Sequence, residues 1–488
     1  MRAPLAVLAT LLALAAPAAA DVMRPAEPIG HAGRWMTDGS GRVLVVHGVN
    51  VPSKLLPAYP AALDFGDDDA ALLASLGLDA VRLTVERYAV EPKAGRFDDA
   101  YLAHVADTVR LLWRHGIASL VDFHQDEYGP VFYDNGFPDW MTMTDGLPNL
   151  FEVGFPAQYV ANPALNRAFD HFWADDTGPS GRPLQADDAA IESHVAAALS
   201  GEAGILGYEA INEPWPGTQY PACFNPAIGC PTFDTGPLSA YYARVLPALR
   251  RADPRRLAFY EPLVSFNYGV PTSVVPPKDA GVGFAFHDYP ACSAADDAGL
   301  PVPAPAQGCA AEDGAVLDNA VSHAAATGDA LLETEFGSSA DTQRVGDQLA
   351  RYDAQMIPWM FWSYTRFVDA LAPDGTLRPA TPANVDAAMA ATLARPYPEL
   401  VAGTPQGWSF DPSAKAFSAS WSTRRAGGAG RFPAGARTVI VVPAVQYPHG
   451  YTARVAGGRV VSRPGAGLLV IAQDAGASQV SVAVASAT

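Results

Sequence analysis

The chain has 488 residues, of which 49% are hydrophobic, and a formal net charge of −19 at pH 7. This length and hydrophobic content allow one large core and a smaller second domain, and they exclude a disordered chain. The acidic balance, with few and scattered basic residues, argues against binding to a nucleic-acid backbone or to an anionic membrane surface. A neutral or lipid-borne partner fits the composition better.

The first twenty residues predict export. Arg2 supplies a positive charge, residues 5–16 form an apolar run, and three alanines precede Asp21. This run is too short and too rich in small residues for a transmembrane helix, so residues 1–20 indicate a secretory signal peptide and a secreted protein. No later stretch reaches the roughly 20 uninterrupted apolar residues that a bilayer crossing requires.

From residue 43 onward, short apolar runs alternate with amphipathic stretches, which is typical of parallel strands joined by covering helices. Eight strands are predicted, at residues 43–51, 80–85, 118–124, 205–213, 257–261, 282–288, 330–336 and 359–364. Since the GxGxxG fingerprint of an open dinucleotide-binding sheet is missing, this pattern predicts an α/β fold, a (β/α)8 barrel at residues 21–402. The longest insertion, residues 127–200, follows the third strand and is expected at the C-terminal face, where binding loops gather.

Beyond residue 403 the pattern changes to period-two strands without helices. Five strands are predicted, at residues 417–421, 437–442, 451–455, 468–472 and 479–484. They predict a small, sandwich-like all-β domain at residues 403–488. Because no row of exposed aromatic residues is evident, this domain is interpreted as a structural cap and not as a carbohydrate-binding module.

Four cysteines in an exported chain indicate two disulfides. Three pairings are possible, and those that close the shortest loops are Cys223 with Cys230 and Cys292 with Cys309. No CxxC or HExxH spacing is present, so no metal site is predicted.

Two carboxylates stand where two barrel strands should end. Glu213 closes the fourth strand in GYEAINEPWPG, and Glu335 closes the seventh in LLETEFGSS. These strands face each other across the barrel mouth, and double displacement at a glycosidic bond requires two carboxyls about 5 to 5.5 Å apart. Alternation places Glu209 and Glu333 deeper on the same faces, where a buried carboxylate needs a partner such as Arg82. The outer pair is therefore predicted to meet the substrate.

The motif NEP at residues 212–214, followed by TEFG at 334–337, resembles glycoside hydrolase family 5. Longer blocks resemble its endoglycoceramidase branch, which includes galactosylceramide-directed members; they are FGDDD (65–69), AVRL (80–83), VEP (90–92), DFHQDEY (122–128), LGYEAINEPWPG (206–217) and HDY (287–289). The resemblance implies a retaining enzyme that hydrolyses the bond between oligosaccharide and ceramide in glycosphingolipids, without a cofactor.

The resemblance also implies roles for residues at the strand ends. Glu213 would be the acid/base and Glu335 the nucleophile; Arg82 would hold Glu335 ionised, and the charge of Glu335 would keep Glu213 protonated. The implied sugar-contacting shell is Asn212 at the 2-hydroxyl, His124, His287, Tyr289 and the stacking Trp362. Polar loop residues that add to it are Lys54, Gln125 and Asp126. A purely structural role is the alternative for Arg82, His124, His287 and Trp362.

One departure from the endoglycoceramidase pattern follows AVRL, where TVERYAVEP carries Glu86 and Arg87 in place of a Trp. Charge replacing a stacking ring leaves glucose and galactose both open as the first sugar. An apolar groove for ceramide is expected from Tyr220, Phe224 and the insertion aromatics Phe132, Tyr133, Phe137, Trp140, Phe151 and Phe155. The alternatives are a β-1,4-glucanase or mannanase acting on soluble polysaccharide and, in another class, a non-catalytic carbohydrate-binding protein.

Overall fold

The structure is a computed structural model and describes residues 24–149, 153–290, 306–364, 385–428 and 430–487. It begins with three short antiparallel strands, β1 (Gly30–Ala32), β2 (Trp35–Thr37) and β3 (Val43–Leu44). These strands extend a sheet of the C-terminal domain, because Leu44 in β3 pairs with Leu400. The N-terminal segment therefore ties the two halves of the protein together.

Eight parallel strands then close a barrel, and the predicted (β/α)8 fold is confirmed. The strands are β4 (His47–Val51), β5 (Ala80–Thr84), β6 (Ala118–Asp122), β7 (Ile205–Glu209), β8 (Leu257–Tyr260), β9 (Val282–Asp288), β10 (Ala330–Gly337) and β11 (Trp359–Trp362). The single strand predicted at 43–51 is wrong, because β3 and β4 belong to different sheets. All residues from Val43 to Val51 are buried, so hydrophobicity alone does not mark the break between them.

Helices cover the outside of the barrel. They are α1 (Asp67–Ser75), α2 (Arg87–Val90), α3 (Asp99–Arg114), α4 (Gln158–Ala161), α5 (Pro163–Trp173), α6 (Leu184–Leu199), α7 (Tyr220–Cys223), α8 (Pro231–Phe233), α9 (Ser239–Ala252), α10 (Ala306–Thr327), α11 (Thr342–Gln355) and α12 (Ala387–Leu393). Helix α3 shows why they form: the Asp98 side chain caps its first turn, and Leu102, Val105 and Val109 form its buried stripe. In contrast, β8 is followed by a single 3-10 turn at Val264–Tyr268, which places this short segment over the barrel mouth.

The C-terminal domain contains two antiparallel sheets. Its strands are β12 (Tyr397–Val401), β13 (Thr404–Asp411), β14 (Ala416–Ser422), β15 (Arg437–Val441), β16 (Tyr451–Ala456), β17 (Gly458–Val460), β18 (Leu468–Gln473) and β19 (Gln479–Ser486). One sheet has the order β1-β2-β3-β12-β15-β18-β17 and the other β13-β14-β19-β16. In β14, Phe417 and Trp421 face the core while Ser418 faces outward, which is the period-two pattern of the sequence. The predicted boundary between residues 402 and 403 falls between β12 and β13.

Three expectations concern the covalent chain and its termini. The predicted disulfide between Cys223 and Cys230 is formed. The expected partners Cys292 and Cys309, and the predicted signal peptide at residues 1–20, lie outside the described residues or side chains. Among the helices that the structure describes, none is long and apolar enough to span a bilayer.

Candidate active site

Arg82 on β5 lies at the centre of the barrel mouth with no exposed surface. Its guanidinium contacts four carboxylates, which are Asp122 at 3.0 Å, Glu209 at 2.5 Å, Glu261 at 3.4 Å and Glu335. Burial by itself lowers the pKa of an arginine, but these carboxylates raise the pKa of Arg82 above its ordinary value, so it stays charged. The catalytic candidates are thus organised around one buried cation.

Glu213 follows β7 with its backbone in the left-handed region, at a φ of 42°. Its N–H donates to the Glu261 carboxylate at 3.0 Å, and the side-chain amide of Asn267 donates to its Oε1 at 2.5 Å. His287 Nδ1 lies 2.8 Å from the same oxygen. Burial, followed by the charge of Asp126, raises the pKa of Glu213 to about 7. A substantial fraction of Glu213 therefore carries a proton at neutral pH. The main cause of the raised pKa is burial, and not the charge of Glu335 that the sequence pattern suggested.

Glu335 lies on β10 opposite Glu213. Arg82 donates to its Oε1, and the Tyr289 hydroxyl donates to its Oε2 at 3.1 Å. His287 Nδ1 is 3.8 Å from Oε2, and burial lowers the pKa of this histidine to about 4, so it is neutral. One carboxylate oxygen of Glu335 lies within 4.8 Å of one of Glu213. This separation suits double displacement, whereas inversion requires about 6.5 to 9.5 Å to admit a water molecule.

The deeper glutamates differ from each other. Glu209 pairs with Arg82, as predicted for a buried carboxylate. The prediction that Glu333 shares a face with Glu335 is wrong, because a register shift in β10 falls between these two residues. Thr334 also faces inward and donates to Glu209 at 2.9 Å. A β-bulge of this kind breaks the period-two rule at a strand end, where no sequence pattern marks it.

A charged cluster faces the cleft from β4 and β6. Lys54 donates to Asp126 and lies 4.6 Å above the centre of the Trp362 ring. His124 lies 2.6 Å from Asp122 and 3.2 Å from Asp126. Burial and the charge of Lys54 lower the pKa of His124, but the two aspartates outweigh them and raise it to about 10. Two cations, two carboxylates and an indole thus lie together, which suits a sugar with several hydroxyls.

Asn212 and Gln125 hold the backbone that carries the acid/base. Arg82 Nη2 donates to the Asn212 side-chain oxygen at 2.9 Å, and Gln125 donates to the carbonyls of Asn212 and Glu213 at 2.9 and 3.1 Å. Asn212 lies beside both catalytic candidates, where the resemblance places it. Gln125 is fully buried and uses its amide on these carbonyls, so its expected role in gripping sugar hydroxyls is not supported by its position.

Glu86 and Arg87 are both fully buried. Arg87 bonds Asp188 and Glu192 of α6, both at 2.6 Å, and fixes that helix to the barrel. Burial raises the pKa of Glu86 well above its ordinary value, while the charges of His124 and Lys54 oppose the shift. Glu86 and Arg87 therefore expose no charge in the cleft, and the first sugar stays open between glucose and galactose.

The insertion aromatics divide into two groups. Those buried or half-buried are Phe132, Phe137 and Trp140, whereas Tyr133 and Phe155 are exposed by 56% and 58%. Phe151 lies outside the described residues. Of this set, Tyr133 and Phe155 therefore remain available to contact a ligand, because the buried rings pack the insertion onto the barrel.

An aromatic wall stands beside Glu213, and its members are Phe155, Tyr159, Trp215, Tyr220, Phe224 and Tyr268. Trp215 contacts Tyr159, Tyr220 and Phe224, and the ring centres in contact along the wall are 4.8 to 6.2 Å apart. Trp215 is two residues after Glu213, and burial together with the charge of Glu213 raises the pKa of Tyr268 to about 12. The wall therefore lies beside Glu213, with Tyr159 and Trp215 buried and with Phe155 and Phe224 exposed.

Two sets of side chains bring possible metal-binding atoms within 4.8 Å of one another; they are Glu209, Glu261 and His287, and Glu213, His287 and Glu335. Each set contains a carboxylate that is already paired with Arg82. The guanidinium thus supplies the positive charge that a metal ion would bring.

Two carboxyls at this separation, one with a raised pKa and the other bound by an arginine, form the machinery of a glycoside hydrolase. Residues 57–367 match cellulase (glycosyl hydrolase family 5), and residues 395–484 match the glycoside hydrolase family 5 C-terminal domain. The chain belongs to glycoside hydrolase family 5, and the resemblance seen in the sequence is confirmed.

The similarity to known proteins extends over nearly the whole chain. It is 31% identical over 452 residues to endoglycoceramidase I of Rhodococcus hoagii (strain 103S), covering 91% of this chain and 85% of that protein. Endo-glycoceramidase II from Rhodococcus sp., solved as a ganglioside GM3 complex, has a TM-score of 0.74 at 25% identity over 93% of this chain and 99% of its own. The same protein is also solved as a lactosyl-enzyme intermediate, with a TM-score of 0.74. An endogalactoceramidase crystal structure shares the fold, with a TM-score of 0.69 at 23% identity over 95% of this chain and all of its own.

Three residues of this site were not predicted as functional, namely Asp122, Glu261 and Asn267. Asp122 is the last residue of β6 and lies two positions before His124 in a strand predicted to run to residue 124, so alternation could have found it. Glu261 precedes a proline at a strand end, as Glu213 does, which is a usable signal. Asn267 lies in a loop-like segment and has no sequence signal.

Proposed function

We propose that the protein is a retaining endo-glycosidase that hydrolyses the bond between an oligosaccharide and the ceramide of a glycosphingolipid. The endoglycoceramidase relative and the ganglioside complex of its structural relative support this substrate class. The observation that carries it is the aromatic wall beside Glu213. The acid/base protonates the leaving oxygen, so the groups next to it contact the leaving group.

Aliphatic side chains are also exposed in the segments that supply most of the wall. Those in the segments after β6 and β7 are Leu147, Val153, Val160 and Ile228. Aromatic rings stack on sugars as well as on lipids, but branched aliphatic side chains do not, and exposed apolar groups in such numbers mark a contact surface. A lipid leaving group therefore fits this side of the cleft better than a second stretch of polysaccharide.

The reaction follows from the two carboxyls. Glu335 attacks the anomeric carbon while Glu213 gives its proton to the glycosidic oxygen, so that the carbon–oxygen bond breaks and ceramide leaves as an alcohol. Glu213, now a carboxylate, takes a proton from water as that water attacks the anomeric carbon and releases Glu335. Two inversions give net retention. Tyr289 donates to Glu335 and fixes its orientation throughout.

The sugar side of the cleft is the cluster around Trp362. We assign the indole as the platform for the first sugar, with Lys54 and Asp126 positioned to bind its hydroxyls. His124, charged and held by Asp122, orients Asp126. Glucose and galactose differ in the orientation of one hydroxyl, and this cluster would distinguish the two sugars through its hydrogen bonds to that hydroxyl.

The test is a panel of detergent-dispersed glycosphingolipids with glucose or galactose as the first sugar, alongside soluble β-glucan and mannan. We expect intact glycan and free ceramide from at least one glycolipid, with the first sugar identified by mass spectrometry of the glycan. Glu335→Gln is the matched control and should release neither. Release of sugar only from the polysaccharides would contradict the proposal and favour a glucanase or mannanase.

We also propose that residues 1–20 direct export and that the mature chain begins near Asp21. The support is the charge and hydrophobicity pattern of this segment. Expression in a bacterial host with a secretion system, followed by N-terminal sequencing of protein from the medium or periplasm, tests it. A start at Met1 with all protein in the cytoplasm would contradict the proposal.

A further inference from the structure

Glu261 lies at the carboxyl end of β8, directly beneath the acid/base. One oxygen of its carboxyl accepts the backbone N–H of Glu213 at 3.0 Å, and the other is 3.4 Å from Arg82 Nη2. The Tyr242 hydroxyl of α9 donates to the backbone carbonyl of Glu261 at 2.7 Å and accepts its N–H at 3.1 Å. Glu261 is therefore a fixed, buried support and not a mobile cleft residue.

Glu213 needs such a support because of its backbone. A φ of 42° is disfavoured for a glutamate and persists only where the surroundings fix it. Side chains hold each of its polar groups: Glu261 accepts from the N–H, Gln125 donates to the carbonyl at 3.1 Å, and Asn267 donates to the carboxylate at 2.5 Å. Rotation of this peptide would move the proton donor away from the glycosidic oxygen, and a misplacement of about 1 Å costs roughly 100-fold in rate.

The charge balance indicates the protonation state of Glu261. Arg82 is one cation among four carboxyls. Glu209 and Glu261 each offer an oxygen within 4.8 Å of the other, and Glu209 has the closer contact with Arg82. Burial, followed by the charge of Glu209, raises the pKa of Glu261 well above its ordinary value. Burial and the neighbouring carboxylates thus favour the protonated form of Glu261.

We infer that Glu261 is a positioning residue whose carboxyl holds the backbone of Glu213 in its catalytic conformation. It acts through Glu213 and does not touch the substrate. The inference rests on the assignment of Glu213 as acid/base, and it is independent of whether the leaving group is ceramide.

The experiment compares Glu261→Gln with Glu261→Met. Glutamine keeps an oxygen to accept the Glu213 N–H, whereas methionine keeps the chain length but removes the acceptor. Two β-glycosides with the same sugar are used, one with an alkyl alcohol and one with dinitrophenolate as the leaving group. The value of kcat/KM reports the glycosylation step, in which only the alkyl alcohol needs protonation.

For Glu261→Gln we expect kcat/KM within about threefold of the wild type on both substrates, because the acceptor for the Glu213 N–H is retained. For Glu261→Met we expect a loss of roughly 10- to 100-fold on the alkyl glycoside, a part of what general acid catalysis contributes, with little loss on the dinitrophenyl glycoside. Equal losses on both substrates, or a Gln variant as impaired as the Met variant, would overturn the inference.

Two controls separate positioning from misfolding. A 2-deoxy-2-fluoro glycoside traps the glycosyl-enzyme on Glu335, and full stoichiometric trapping in Glu261→Met shows that the barrel and nucleophile are intact. Incomplete trapping would show a general structural role and overturn the inference. Glu209→Gln is the matched substitution on the partner carboxyl; because it removes the charge paired with Arg82 at 2.5 Å, we expect a larger loss than for Glu261→Gln. If the glycosides are hydrolysed while glycolipids are not, the proposed substrate fails and this inference stands.

Discussion

The pH dependence of the acid/base can be shifted through Asn267. Burial raises the pKa of Glu213 to about 7, while the hydrogen bond from Asn267 at 2.5 Å lowers it. Asn267→Leu keeps the shape and burial of the site but removes this donor, so the ionised form of Glu213 loses stabilisation. A hydrogen bond to a charged group contributes about 1.5 to 3 kcal/mol, and one pKa unit is 1.36 kcal/mol, so the pKa should rise by about 1 to 2 units.

The measurement is kcat/KM against pH on a substrate with a poor leaving group. Its alkaline limb reports ionisation of Glu213 in the free enzyme and should move from about 7 to higher pH in the variant. A dinitrophenyl glycoside is the control, because its glycosylation needs no acid and residual pH dependence then belongs to other groups. One such group is Asp134, whose pKa is raised to about 6 by burial and by Asp126. An alkaline limb that stays in place or moves to lower pH would refute the reasoning.

Three further substitutions have defined outcomes. Tyr289→Phe removes the hydrogen bond to Glu335 at 3.1 Å and should lower kcat by about tenfold or more. Circular dichroism should show an intact fold. An unchanged kcat would show that this hydrogen bond is dispensable. The Phe224 ring is exposed by 38%, and Phe224→Ser should lower kcat/KM for ceramide substrates by about tenfold. The value of kcat/KM for a short alkyl glycoside should not change. Equal effects on both substrates would argue against a lipid contact. Burial raises the pKa of Glu399, which lies between the barrel and the β domain, from 4.5 to about 7. Its contribution to the free energy of unfolding is therefore fully present below pH 4.5 and is lost as the pH rises through 7. Urea unfolding at pH 5 and pH 8 should show a decrease on the order of 3 kcal/mol in the wild type, reduced in Glu399→Gln; the same decrease in both would assign it to other groups.

The sequence by itself determined the barrel and the two carboxyls that we assign to catalysis. Parallel strands in a barrel all end at one face, so Glu213 and Glu335 must lie near each other once eight strands are counted. The buried pairing of Glu209 with Arg82 followed from the cost of isolating a charge. Motif order over the whole chain then separated this family from other (β/α)8 barrels.

Only the tertiary structure decided the details around those carboxyls. The bulge that turns Glu333 away from Glu335 and the division of the first predicted strand depend on pairing between distant segments, which hydrophobic periodicity does not report. Glu261 and Asn267 act on Glu213 from about 50 positions away in the chain, so their hydrogen bonds arise only when the barrel closes. The raised pKa of Glu213 is likewise a property of burial, which comes from packing and not from neighbours in sequence.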